Sequence, residues 1–211
     1  MAIDLAPVAA QIDKADCYLI YLHGFNSSPL SKKALQTTAY FESLGIADRL
    51  FVPELAYEPA QAMKDLRALV SAPRQLPVVL CGSSLGGYYA SCLAEDYNLK
   101  AVLINPAVRP YLLWEKHLGE NHNYYTGEAY QVTPAHIEQL RQMERDPISR
   151  PGNFLLLAQT GDEVLDYRDA LEKYKNSARI IQQGGDHSFC NYQHMLPVIM
   201  NFFAAKQAFV D

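Results

Sequence analysis

The chain has 211 residues, of which 49% are hydrophobic and 19% are charged, and its formal net charge at pH 7 is −5. This length predicts one compact domain, or one domain with an inserted lid, and the hydrophobic content is sufficient for a full core. The acidic balance and the lack of a Lys/Arg cluster argue against nucleic acid as the main partner.

The N-terminal residues 1–7 have neither the basic start nor the long apolar run of a signal peptide, and no apolar stretch approaches the length of a membrane span. The cysteines are widely spaced and form no C-x-x-C pair, which predicts reduced thiols and a cytoplasmic location. Cys and His spacing supports no metal site, and we expect no cofactor. The cysteines are Cys17, Cys81, Cys92 and Cys190.

Strands alternate with helices along the chain, which predicts a mostly parallel sheet covered on both faces. The first strand ends in His23-Gly24-Phe25, and the first helix begins near Ser31, its expected N-cap, and ends before Gly45. Up to residue 71 the pattern predicts, in order, strand, helix, strand and helix at 17–22, 31–44, 50–53 and 58–71.

The apolar run 77–81 is followed by Gly82-Ser83-Ser84-Leu85-Gly86 and then by a helical stretch at 87–94. This is the G-x-S-x-G pattern in a strand–turn–helix context. Such a sharp turn holds the middle serine in a strained backbone conformation, and the two glycines let strand and helix approach closely. We therefore predict that Ser84 is a nucleophile at the end of the sheet. The alternative is an ordinary Ser/Gly turn.

A buried strand is predicted at 100–105, and the next one follows only at 153–159. The segment between them, about 107–150, is too long for a simple crossover and includes a polar helix at 133–145. We predict a lid over a site at the strand carboxyl ends. The alternative is a helical excursion whose aromatic side chains pack in the core. These side chains are Tyr111, Trp114, Tyr124, Tyr125 and Tyr130.

The strand at 153–159 is followed by the candidate acid, Asp162, after one short turn. Glu163 is the adjacent rival and Asp166 a more distant one. An Asp after Thr-Gly is also a common turn residue or helix N-cap, so this interpretation depends on the position of the loop.

The last strand, 179–182, is followed by the candidate base, His187, on a glycine-rich loop at 184–189, and a closing helix is predicted at 193–209. Serine attack needs a base to remove the hydroxyl proton and a carboxylate to hold the tautomer of that base. Ser84, Asp162 and His187 occur in the chain order that this chemistry has in hydrolases. Four other histidines are expected to be ordinary solvated side chains, because they lie in the lid or on helix faces: His117, His122, His136 and His194.

The loop after the first strand is the expected source of an oxyanion donor. We place the two donors at the backbone N–H groups of Phe25 and of Leu85, the residue after the nucleophile. The alternative for His23-Gly24 is a strand-ending turn with a buried histidine.

Together these segments resemble the α/β-hydrolases and, more narrowly, the small bacterial YqiA-type esterases. The resemblance covers nearly the whole chain and implies a single α/β-hydrolase domain over 1–211, with a lid-like insertion at about 107–150. It also implies a cytoplasmic serine esterase with Ser84, Asp162 and His187 as the triad. The matching stretches are 21–29, 82–90, 105–110, 118–128, 159–167 and 184–189.

The expected function is hydrolysis of carboxylic esters of small or medium acyl groups through an acyl-enzyme. One alternative is an acyl-CoA thioesterase that uses the same triad, and another is a non-catalytic ligand-binding member of the fold. The expected partner is thus a small-molecule ester or acyl-CoA, with no nucleic acid and no membrane span. The sequence carries no marker of oligomeric state.

Overall fold

The computed structural model describes residues 16–205. Its strands, in chain order, are β1 (Tyr18–Leu22), β2 (Leu50–Phe51), β3 (Val78–Ser83), β4 (Lys100–Ile104), β5 (Gly119–His122), β6 (Ala129–Val132), β7 (Phe154–Gln159) and β8 (Ala178–Gln182). Six of them form one sheet in the order β2-β1-β3-β4-β7-β8, in which every neighbouring pair is parallel. β5 and β6 pair separately as an antiparallel hairpin.

Parallel pairing places the carboxyl ends of these six strands at one edge of the sheet. The chain goes from β1 to β2 on one side and returns to β3 on the other, so the strand order reverses between β1 and β3. In open α/β sheets, the crevice at such a reversal is where ligands bind. Phe25, after β1, and Ser84, after β3, are therefore at the position where this topology favours a site.

Helices cover both faces of the sheet. Apolar side chains of β1 alternate between two clusters, with Leu19 and Tyr21 in one and Ile20 and Leu22 in the other. Helices α1 and α7 contribute to the first cluster, and α2, α3 and α5 to the second. The helices are α1 (Lys32–Ser43), α2 (Pro59–Ser71), α3 (Leu85–Tyr97), α4 (Pro110–Trp114), α5 (Pro134–Gln142), α6 (Tyr167–Lys173) and α7 (Leu196–Ala204).

The predicted alternation of strands and helices is confirmed. The β5–β6 hairpin, α4 and α6 are not among the predicted elements, and some boundaries differ. The strand expected at 50–53 ends at Phe51, before Pro53, which has no N–H to donate to a neighbouring strand. Ser31 does occupy the N-cap position of α1, although its side chain makes no capping hydrogen bond. None of the helices between residues 16 and 205 is both long and apolar enough to cross a membrane.

The closing helix expected at 193–209 is divided. A 3-10 turn at Tyr192–Met195 precedes α7, and Pro197 lies in the first turn of α7, where its missing N–H costs no helical hydrogen bond. The last part of the prediction, 206–209, lies outside the described residues.

The segment 107–150 contains α4, the β5–β6 hairpin and α5, which packs against α2 and α4. Tyr111, Trp114 and Tyr130 are buried in the same cluster as α2 and α3, as the core-packing interpretation predicts. Tyr124 and Tyr125, in the turn of the hairpin, are instead 79% and 49% exposed. The segment therefore has one part that packs in the core and an exposed hairpin turn that carries two tyrosines.

Candidate active site

Ser84 occupies the turn between β3 and α3 with φ 55° and ψ −119°. Positive φ is costly for a residue with a Cβ and persists only where neighbours enforce it. Here the N–H of Ser84 donates to the carbonyl of Ile104 (3.1 Å), and its own carbonyl accepts from the N–H groups of Ala107 (3.1 Å) and Tyr88 (3.2 Å). These bonds hold the strained turn that the G-x-S-x-G pattern predicts.

Two glycines of the motif allow the backbone to pack closely around Ser84. A Cβ at Gly82 would overlap the carbonyl of Gly86, and a Cβ at Gly86 would overlap the carbonyl of Leu22 at the end of β1. A Cβ at Gly24 would lie 3.3 Å from the Cβ of Ser84. The loop after β1 thus packs directly against Ser84.

The structure brings the side chains of Ser84, His187 and Asp162 into one chain of contacts. Nε2 of His187 lies 3.1 Å from Oγ of Ser84, and Nδ1 of His187 lies 2.8 Å from Oδ2 and 3.0 Å from Oδ1 of Asp162. A carboxylate can only accept, so Nδ1–H donates to Asp162 and Nε2 is left to accept from the Ser84 hydroxyl. This arrangement is the one needed for His187 to act as a base on Ser84 while Asp162 orients the imidazole.

The three acids after β7 are placed differently. The side chain of Asp162 is 2% exposed, and it also accepts from the N–H groups of Val164 (2.9 Å) and Leu165 (2.8 Å), which fixes its orientation. Glu163 accepts from the backbone N–H of His187 (3.0 Å), and Asp166 caps α6. Of the three carboxylates, that of Asp162 contacts the imidazole.

Two buried amides, which the sequence analysis did not identify as site residues, hold the loop that carries His187. Asn105 donates to the carbonyls of Asp186 (3.0 Å) and His187 (3.2 Å), and its Oδ1 accepts from the N–H of Gln159 (2.9 Å). Oε1 of Gln159 accepts from the N–H groups of Asp186 (3.1 Å) and Cys190 (2.8 Å). A sequence signal existed: both are polar residues at the ends of apolar runs that form neighbouring strands.

The predicted oxyanion donors lie next to Ser84. Phe25 follows Gly24 in the loop after β1, and Leu85 is the first residue of α3, where N–H groups have no partner within the helix. Among residues 16–205, neither the N–H of Phe25 nor that of Leu85 has a hydrogen-bond acceptor. Both groups are therefore free to donate to a bound oxygen.

Two cavities share the loop after β1 as part of their lining. The larger, which we call the reaction cleft, has a volume of about 310 Å³ and is lined by Ser84 and His187, with Tyr124 and Tyr125 of the hairpin and Lys32 of α1 at its sides. The smaller, which we call the inner cavity, has a volume of about 40 Å³. Its lining includes His23, Phe25, Leu55, Leu85, Tyr89 and Tyr130.

His23 is buried, as the alternative for His23-Gly24 predicts, and Nδ1 lies 3.0 Å from the carbonyl oxygen of Gly24. Burial lowers the pKa of His23, and the Gly24 carbonyl partly opposes that shift. Because a carbonyl only accepts, Nδ1 carries the hydrogen and Nε2 of the neutral ring has a lone pair. Nε2 has no partner among the described residues.

Within residues 16–205, no group of three or more His, Cys, Asp or Glu side chains is arranged to hold a metal ion. The four cysteines are unpaired with one another: Cys17, Cys81 and Cys92 are buried, and Cys190 is exposed. Sγ of Cys190 lies 3.2 Å from Oδ2 of Asp186.

The sequence model of a family described as an uncharacterised protein family, UPF0227, matches residues 18–204. A UPF0227 protein of Citrobacter koseri is 26% identical over 190 residues, covering 87% of this chain and 97% of its own. The UPF0227 protein YcfP of Escherichia coli is 24% identical over 190 residues, with the same coverage.

Solved structures share the fold at low identity. Alpha/beta hydrolase domain-containing protein 10 from mouse superposes with a TM-score of 0.68 at 17% identity, covering 87% of each chain. The esterase domain of a Rhodothermus marinus protein gives 0.65 at 19% identity, covering 93% of this chain and 88% of its own. The expected α/β-hydrolase fold is thereby confirmed.

Proposed function

The chain belongs to the UPF0227 family, and we propose that it is a cytoplasmic serine esterase that hydrolyses carboxylic esters of small or medium acyl groups. The observation that carries the proposal is the continuous line of contacts from Ser84 Oγ through the His187 imidazole to Asp162. The proposal includes one hydrolase domain over 1–211, in which the segment at about 107–150 is a lid-like insertion.

In the first half of the reaction, Nε2 of His187 takes the hydroxyl proton as Oγ of Ser84 attacks the acyl carbonyl carbon. The N–H groups of Phe25 and Leu85 donate to the oxygen that becomes negative. The tetrahedral intermediate then collapses, the bond to the leaving oxygen breaks, and His187 gives its proton to the departing alcohol. An ester between Ser84 and the acyl group remains.

In the second half, a water molecule gives its proton to Nε2 of His187 and attacks the same carbonyl carbon. The carboxylic acid leaves as the proton returns to Ser84. Asp162 acts throughout by holding Nδ1–H and stabilising the imidazolium that forms at each attack. Its burial and its two backbone donors keep that carboxylate in one orientation.

Cleavage of acyl-CoA thioesters by the same three residues is the second candidate. It is favoured by Lys32, an exposed cation in the lining of the reaction cleft that fits an anionic leaving group. The chemistry at Ser84 is the same, with a thiol in place of the alcohol.

The test is hydrolysis of a chain-length series of p-nitrophenyl esters and matched acyl-CoAs by the wild type and by Ser84→Ala. We expect turnover to fall by several orders of magnitude in Ser84→Ala with folding intact. The ratio of ester to thioester turnover then selects between the two candidates.

A fluorophosphonate probe supplies a control that does not depend on the choice of substrate. It should label the wild type and Ser83→Ala, which changes the adjacent serine of the motif, and it should fail to label Ser84→Ala. Undiminished hydrolysis by Ser84→Ala would refute the assignment. A wild type that neither turns over nor reacts with the probe would indicate the ligand-binding alternative.

A further inference from the structure

The β5–β6 hairpin is hydrogen-bonded to the loop that follows β1. The N–H of Tyr124 donates to the carbonyl of Asn26 (3.2 Å), and Nδ2 of Asn123 donates to the carbonyl of Ser27 (3.0 Å). The hydroxyl of Tyr130, on β6, donates to Oδ1 of Asn26. Two consecutive residues of the loop are thus held by the hairpin, one of them through both its backbone and its side chain.

The ring of Phe25 is packed by the same segment of the chain, 107–150. Its centroid lies close to those of three other rings: Trp114 at 4.7 Å, His117 at 5.2 Å and Tyr130 at 6.3 Å. Within residues 16–205, no hydrogen bond or ring contact reaches residues 25–27 from any other part of the chain. The conformation of this loop therefore depends on the segment 107–150.

The peptide group between Gly24 and Phe25 carries the proposed oxyanion donor. Its carbonyl oxygen, that of Gly24, lies 3.0 Å from Nδ1 of His23. A trans peptide is planar, so the direction of the N–H of Phe25 is fixed only when the residues on both sides of the peptide are fixed. Gly24 has no Cβ to restrict rotation on its side. The aim of the N–H thus depends on how firmly Phe25 and Asn26 are held.

Asn26 has a backbone conformation that its surroundings must maintain. Its φ is 53°, in the left-handed region, and the residue is buried. Asparagine tolerates this region better than most residues, but the conformation persists only where neighbouring groups enforce it. The hydrogen bonds from Tyr124 and Tyr130 to Asn26 supply that constraint.

We propose that the β5–β6 hairpin positions the oxyanion donor of Phe25, with Tyr130 and Asn123 as positioning residues. This inference rests on the proposed esterase function, since an oxyanion forms only where Ser84 attacks a carbonyl. Such a donor acts because it is aimed before the charge develops, and removing one costs about a hundredfold to a thousandfold in kcat. A donor displaced by a loosened loop loses part of that factor.

Tyr130→Phe tests the link through the tyrosine hydroxyl. It removes the donor to Asn26 and keeps the ring that stacks on Tyr57 with centroids 4.8 Å apart. We expect kcat for p-nitrophenyl esters to fall by about tenfold or more, with KM within about threefold of the wild type, because the lost interaction is made in the transition state.

Tyr111→Phe is the matched control. It also removes a tyrosine hydroxyl from the segment 107–150, one that donates to Oε2 of Glu144 (2.8 Å), and Tyr111 lines neither of the two cavities. This variant should keep the wild-type kcat.

Asn123→Asp tests the second link without changing a ring. Aspartate keeps an oxygen that accepts from the N–H groups of Tyr125 and Thr126, so the hairpin turn is preserved. It has no N–H to donate to the carbonyl of Ser27. We expect the same pattern of lower kcat at similar KM.

A trifluoromethyl ketone separates positioning from a general loss of folded enzyme. Oγ of Ser84 adds to its carbonyl carbon, the hydroxyl proton passes to Nε2 of His187, and the ketone oxygen becomes an oxyanion. The inhibition constant of the ketone should rise in Tyr130→Phe by about the factor by which kcat/KM falls. The matched alcohol forms no oxyanion and should keep its inhibition constant. A smaller fraction of folded enzyme would lower kcat and change neither constant.

Three results would overturn the inference: an unchanged kcat in Tyr130→Phe, an equal loss in Tyr111→Phe, or a lower kcat with an unchanged inhibition constant for the ketone. A wild type that neither hydrolyses the esters nor reacts with the fluorophosphonate probe would instead refute the proposed function. The two failures are therefore distinguishable.

Discussion

Gly86 of α3 packs so closely on the carbonyl oxygen of Leu22, the last residue of β1, that a Cβ at position 86 would overlap that oxygen. This contact holds α3, the helix that follows Ser84, against β1, the strand that precedes the loop with Phe25. The distance between nucleophile and proposed oxyanion donor is therefore set by backbone packing.

Gly86→Ala is expected to lower the free energy of unfolding by about 3 kcal/mol or more, because the clash is with backbone atoms that cannot rotate away. Gly152→Ala is the control: its Cβ would meet no atom within 4 Å, and its φ is not positive. That variant should stay within about 0.5 kcal/mol of the wild type. Urea unfolding of the two variants measures the difference, and equal midpoints would contradict the packing argument.

Ser84→Gly is expected to be more stable than Ser84→Ala. Both lack the hydroxyl, but alanine keeps a Cβ at φ 55°, a conformation that glycine adopts freely. The strain at such a residue is on the order of 1–3 kcal/mol, which sets the scale of the gain. Thermal and urea unfolding of the two inactive variants would show it, and a more stable alanine variant would argue against strain at this turn.

Asp162→Asn should reduce kcat by about a thousandfold or more, because an amide can present its NH₂ to the imidazole and favour the wrong tautomer. Glu163→Gln is the matched control, since glutamine still offers an oxygen to the backbone N–H of His187. Its kcat should remain within about threefold of the wild type, as for a change that keeps the hydrogen bond. A loss of similar size in both variants would leave the choice of Asp162 without support.

His23 predicts a pH dependence of stability. Burial lowers its pKa from the ordinary value of 6.5, so below that pH the unfolded chain binds a proton that the folded chain does not. The free energy of unfolding should therefore decrease as the pH falls through 6.5 and below. His23→Gln should flatten this decrease, whereas His122→Gln, at an exposed position, should not. Identical pH profiles for wild type and His23→Gln would contradict it.

Much of the architecture could be predicted because its signals are local. The run 154–158 is apolar throughout, as a strand buried on both faces must be, and Ser84 lies between two glycines that only a tight turn requires. The expected α/β-hydrolase fold is confirmed by solved structures, and the family model shows that the chain belongs to UPF0227. The catalytic roles of Ser84, Asp162 and His187 stay predictions that the experiments above test.

Other features could not be predicted because they depend on residues distant in sequence. Asn105 and Gln159 hold the His187 loop through hydrogen bonds that exist only once β4, β7 and β8 lie side by side. The segment 107–150 contained five aromatic residues with no local difference between them, and only packing separated the buried Tyr130 from the exposed Tyr124.

The sequence by itself determined the order of the six strands of the main sheet, the strained turn at Ser84 and the loops on which Asp162 and His187 lie. These follow from backbone preferences and hydrophobic periodicity, which act over a few residues. Only the tertiary structure decided which acid contacts the imidazole, which buried polar atoms have no partner among the described residues, and how small the inner cavity is. Those properties are distances between segments, and they arise when the sheet brings its carboxyl ends together.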